Sequence, residues 1–172
     1  MQGYLALGDS YTIGEAVAAE ERWPALLVRR LHAHGIVLGE PQIIAVTGWT
    51  TDELAQGMDE ASLTPPYALV SLQIGVNNQY RGRSTDEYRV QFTALLARAI
   101  SLAGGRVERV LVVSIPDWGV TRFANEQGRD SSTIAHELDV FNAIARDESE
   151  RSGAGFIDIT SISRAHPQLV AA

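Results

Sequence analysis

The sequence predicts a doubly wound α/β domain on a five-stranded parallel sheet. Two observations carry this expectation. Short apolar runs alternate with stretches of helical periodicity along the whole chain. The runs "ALVSLQI" and "RVLVVSI" are near-continuously apolar, as strands covered on both faces must be. The length of 172 residues suits one domain spanning 1–172, with no repeat, linker or low-complexity tract.

Tyr4–Leu7 reads as the first strand and ends at Gly8-Asp9-Ser10. Trp23, Leu26, Leu27 and Leu31 share one helical face, with Gly35 as the stop. Ile43–Val46 is the second strand, closed by Thr47-Gly48. Thr50 or Thr51 then caps a helix whose first turn carries Asp52 and Glu53, the charge a helix N-terminus favours. Tyr67–Leu72 follows the Pro65-Pro66 break as the third strand. Ser84 and Glu87 have capping-box spacing, and Tyr88, Phe92, Leu95, Leu96 and Ile100 extend an amphipathic helix to Gly104-Gly105. Val110–Val113 is the fourth strand, followed by a polar loop from about Asp117 to Asp130. Ile134, Leu138, Phe141 and Ala145 mark the next helix, which stops near Gly153, and Gly155–Ile159 is the fifth strand.

Charge and composition exclude several functions. Lys and Arg number 14 against 21 Asp and Glu, a net charge of −7 that disfavours binding to a phosphate backbone. No cysteine is present, so disulfides, thiolate catalysis and Cys-ligated metals are excluded. The N-terminal residues lack the basic, apolar and cleavage regions of a secretory signal, and no run of ~20 apolar residues could span a membrane. These features lead to the expectation of a cytoplasmic domain without a membrane span. Dinucleotide, P-loop and H-E-x-x-H signatures are absent, as is the Gly-x-Ser-x-Gly elbow. No cofactor or metal is therefore expected.

In a doubly wound sheet the ligand site lies beyond the carboxyl ends of the strands. Ser10 stands after the first strand, where a hydroxyl can project as a nucleophile once a base takes its proton. Gly48 stands after the second, where its N–H can donate to a developing oxyanion. Asn77 stands after the third and can place an amide N–H beside the same point. Each residue taken singly is also an ordinary turn former. Together they put one nucleophile and two donors at three successive strand ends.

The stretches "LALGDSYTIGE", "VTGWTTDEL" and "SLQIGVNNQ" resemble the first three blocks of the SGNH hydrolases, the GDSL-type esterases and lipases, in their small bacterial form. "IPDWGVTRFA" and "FIDITSISR" resemble later stretches. The resemblance implies a flavodoxin-like three-layer α/β/α sandwich. It also implies Ser10 as the nucleophile of an acyl-enzyme mechanism on carboxylic esters, with Ser10, Gly48 and Asn77 forming the oxyanion hole. Trp49, Tyr80 and Arg81 lie beside these motifs as candidates to line the substrate pocket. Tyr11 replaces the usual leucine, and Asn78 stands where aspartate is frequent.

The family's last block, Asp-x-x-His, has no counterpart, because Ser163 stands three residues before His166. His32 and His34 fit a helix C-terminus, and His136 lacks a ligand partner one turn away. His166 is thus the remaining histidine for a base. The expectation is a chain without its catalytic base and final helix, whose uncovered apolar face would favour self-association. A reading from another class is a non-catalytic binding module that holds a phosphate or acyl ligand at the same strand ends.

Overall fold

In the computed structural model, which describes residues 2–170, the first apolar run forms β1 (Gln2–Gly8) at the heart of the molecule. The remaining strands are β2 (Leu38–Ala45), β3 (Leu69–Gln73), β4 (Val110–Val113) and β5 (Gly155–Ile157). They form one sheet of order β2-β1-β3-β4-β5, and every neighbouring pair is parallel. The chain reverses its direction of travel across the sheet between β1 and β3, where such a sheet opens a crevice.

Alternation along β1 sends its side chains into two separate cores. Leu5 and Leu7 face the larger one, with Val70, Leu72 and Val112 from neighbouring strands. Three helices cover it: α3 (Thr51–Glu60), α5 (Thr85–Leu102) and α7 (Ser131–Ser152), through residues such as Leu54, Phe92 and Leu138. Tyr4 and Ala6 face the other side and pack against Val28 of α2 (Trp23–Ala33). The result is an α/β/α sandwich. On the α2 side, Ser71, Leu111, Val113 and Ile157 of β3 to β5 line an open groove.

Several starts and stops follow the expected chemistry. Ser84 Oγ accepts the Glu87 N–H at 3.1 Å, Thr50 and Glu53 form a reciprocal capping box, and Gly153 closes α7 in the left-handed conformation. Other bounds differ. β2 begins five residues before Ile43, through Gly39, Glu40 and Pro41, a stretch with no apolar alternation. Its place at the sheet edge tolerates the proline. Four helices of four to six residues, too short to show a period, also appear: α1 (Ser10–Ile13), α4 (Val76–Tyr80), α6 (Arg122–Glu126) and α8 (Thr160–Ala165). α6 lies inside the expected polar loop at 117–130, which also buries Trp118, Gly119 and Ala124. No helix among the described residues is long and apolar enough to cross a membrane. The expected end at Ala172 lies outside the described residues.

Candidate active site

Ser10 opens α1 directly after Asp9, which caps that helix. The turn is tight because Gly8 brings β1 against α1 and β3. A Cβ on Gly8 would sit 2.2 Å from Thr12 Oγ1 and 2.6 Å from the Gln73 carbonyl oxygen. Asp9 is buried, accepts the Tyr11 backbone N–H at 3.1 Å and faces the Gly75 N–H, which favours its ionised form. It thereby links the Ser10 turn to the turn that precedes α4. Burial pushes its carboxyl up to about 7, against the opposing pull of those N–H donors.

Gly48 turns the chain from β2 into α3 with φ +89°, a backbone conformation that L side chains rarely adopt. Its carbonyl oxygen accepts from Arg81 Nη2 at 2.6 Å, and Arg81 is also paired with Glu53 at 3.4 Å. Asn77 sits in the first turn of α4 and donates from Nδ2 to the Trp49 carbonyl at 2.9 Å, its second amide proton having no partner among the described residues. Among the described residues, neither the Ser10 nor the Gly48 backbone N–H has a protein acceptor. The three donors expected from the sequence thus sit on turns that are cross-linked to one another. Ser10, Gly48 and Asn77 all line one groove of about 940 Å³.

The three flanking residues divide. Tyr80 lines the groove. Trp49 and Arg81 are not among its lining residues. The Trp49 indole is seated on α3, where a Cβ at Gly57 would fall 2.2 Å from the ring, and Arg81 reaches back to the Gly48 carbonyl. Their nearness to the motifs in sequence puts them behind the site, where they shape its backbone. Trp118 and Phe123 line the groove from a stretch expected to be loop. Two large aromatics inside an otherwise polar segment were the signal available for them.

No histidine is among the groove-lining described residues. His166 follows α8 and is exposed, His32 Nε2 bonds the Leu38 carbonyl at 2.6 Å, and His34 Nδ1 bonds that of Arg30 at 2.8 Å. No cluster of His, Asp or Glu among the described residues is arranged to hold a metal ion.

The likeness to solved structures covers nearly the whole chain. AlinE4, described as an SGNH-hydrolase family esterase, matches with a TM-score of 0.74 at 23% identity, over 99% of this chain and 82% of that one. The psychrotrophic esterase EstA from a Pseudoalteromonas species matches with a TM-score of 0.71 at 16% identity, covering 99% and 85%. A variant of Axe2, an acetyl xylan esterase from Geobacillus stearothermophilus, matches with a TM-score of 0.74 at 18% identity, covering 98% and 81%. At these identities the likeness is one of fold. Comparison with curated protein sequences gives no match. The family itself is decided by sequence. Residues 6–171 match the GDSL-like lipase/acylhydrolase family, so the strand-end serine, glycine and asparagine stand in a chain that belongs to the SGNH hydrolases.

Proposed function

We propose that this SGNH-type ester hydrolase is a serine esterase working through an acyl-enzyme. The observation that carries the reading is the convergence of Ser10 with donors on Gly48 and Asn77 in one groove, with the Ser10 and Gly48 N–H groups free of acceptors among the described residues. Ser10 Oγ attacks the ester carbonyl carbon while a base takes the hydroxyl proton. The charge that develops on the carbonyl oxygen is met by the Ser10 and Gly48 N–H groups and the second Asn77 amide proton. Collapse of the tetrahedral intermediate breaks the bond to the leaving oxygen, which receives that proton. Water then releases the acid from Ser10 by the same steps in reverse.

The groove supplies the nucleophile and the anion-stabilising donors, but no histidine from the described residues. A hydroxyl without a base attacks slowly, while an oxyanion hole by itself retains roughly 10³–10⁴ over water. The test is turnover of a p-nitrophenyl ester by wild type and Ser10→Ala, with and without added imidazole as an external base. A Ser10-dependent rate that rises with imidazole is expected. Equal rates for the two proteins under both conditions would remove the nucleophile and favour the second reading, a module that holds an acyl or anionic ligand without turnover.

A further inference from the structure

Beside Asn77 the groove has a wall of three aromatic rings. Tyr80 lies three residues after Asn77 on α4, so the two side chains share a helical face one turn apart. Its ring meets Trp118 edge-on at 5.5 Å between centroids and lies 6.4 Å from Phe123, with only 31° between those two planes. Trp118 and Phe123 are 6.0 Å apart, completing the triangle. Tyr80 and Phe123 remain 42% and 36% exposed although they line the groove, so their rings have open surface to offer.

The wall is held rigidly from behind. Buried Gln79 accepts the Trp118 indole N–H at 2.8 Å and donates to Glu137 at 2.5 Å. The Arg129 guanidinium lies 5.4 Å from the Tyr80 centroid and 5.1 Å from that of Trp118, while its Nη1 donates to the Tyr80 carbonyl at 3.3 Å. The Thr121 hydroxyl is likewise spent, donating to the Trp118 carbonyl at 2.6 Å. The Tyr80 hydroxyl is the wall's one polar side-chain atom without a partner among the described residues.

We infer that Tyr80, Trp118 and Phe123 form a specificity subsite for a flat apolar group of the ester, an aryl ring on its acyl or its alcohol side. The inference rests on the reading of Ser10 and Asn77 as the reacting end of the groove. The two open rings, Tyr80 and Phe123, lie only 31° apart in plane with the nearly buried Trp118 packed between them. This preformed apolar surface favours a rigid flat partner, since a ring gains contact area with few torsions to freeze, whereas an alkyl chain must order each bond.

Binding is read separately from turnover in the Ser10→Ala protein, by NMR titration with methyl benzoate, phenyl acetate, methyl hexanoate and methyl acetate. At least one aryl ester should bind about tenfold tighter than methyl acetate. Preference for the benzoate assigns the ring to the acyl side, and preference for phenyl acetate assigns it to the alcohol side. The preference should collapse when Tyr80→Ala and Phe123→Ala are added, both at exposed positions where the fold can be checked by circular dichroism. Equal affinity for all four esters overturns the subsite, as does a hexanoate that binds as well as the aryl esters or a preference that survives both substitutions. Wall-dependent binding with no Ser10-dependent turnover in the wild type supports the subsite and counts against the esterase reading.

Discussion

Thr51 and Asn78 exchange two hydrogen bonds across the site: the Thr51 N–H donates to Asn78 Oδ1 at 3.1 Å, and Asn78 Nδ2 donates to Thr51 Oγ1 at 2.8 Å. Both residues are fully buried, and the pair joins the start of α3, just after Gly48, to α4, which carries Asn77. The single proton of the Thr51 hydroxyl goes to Gln91 Oε1. The hydroxyl can therefore only accept from residue 78, which an ionised aspartate could not supply. This accounts for an asparagine rather than an aspartate at position 78.

Asn78→Asp should accordingly destabilise the fold by about 1–3 kcal/mol, the usual range for a buried polar group left unpaired. In a Gln91→Leu background the Thr51 proton is released to the new carboxylate, and the same substitution should cost markedly less. Urea unfolding of the four proteins measures this coupling. Equal costs in both backgrounds would show that Gln91 does not dictate the choice.

The Asp9 carboxyl gives stability a pH dependence of known sign. Its ordinary value is 3.8 and burial raises it to about 7, so between these limits the folded state binds a proton that the unfolded state does not. Stability from this group is full below pH 3.8 and is lost as pH rises through about 7. The loss is on the order of a few kcal/mol. Asp9→Asn should remove the trend, so that wild type falls progressively behind the variant in thermal midpoints between pH 4 and 7. Parallel profiles for the two proteins would contradict it.

Gly8 and Gly48 should respond differently to alanine. At Gly8 the new methyl meets the Gln73 carbonyl oxygen at 2.6 Å, and rigid sheet backbone must move. At Gly48 the nearest atom is Arg81 Nη2 at 3.8 Å, so only the positive φ opposes the substitution. Gly48→Ala should cost about 1–2 kcal/mol with the fold retained. Gly8→Ala should exceed that clearly or fail to fold. Denaturant midpoints decide the order.

Asn77→Ala should lower kcat by about 10²–10³ with little change in KM, because an oxyanion donor acts on charge present only in the transition state. The assay is steady-state kinetics on a p-nitrophenyl ester, read as the Ser10-dependent rate. A loss under about threefold would make Asn77 a turn residue that serves only to hold the Trp49 carbonyl.

What could be read along the chain were features set by local chemistry. The central strands announce themselves by apolar runs, and the helix starts at Thr50 and Ser84 by caps whose partners lie three residues away. Ser10, Gly48 and Asn77 could be singled out along the chain because a parallel doubly wound sheet delivers its strand ends to one edge, and all three line the same groove. Long-range packing decided the rest. Trp118 faces the groove because Gln79, 39 residues earlier, holds its indole, and no local pattern encodes that bond. Trp49 and Arg81 stand next to the motifs yet turn away, one onto the bare backbone of Gly57 and the other onto the Gly48 carbonyl. A side chain's neighbours in sequence fix its place on the backbone, but the surface it meets is built by residues from elsewhere, and only the tertiary structure brings that surface within reach.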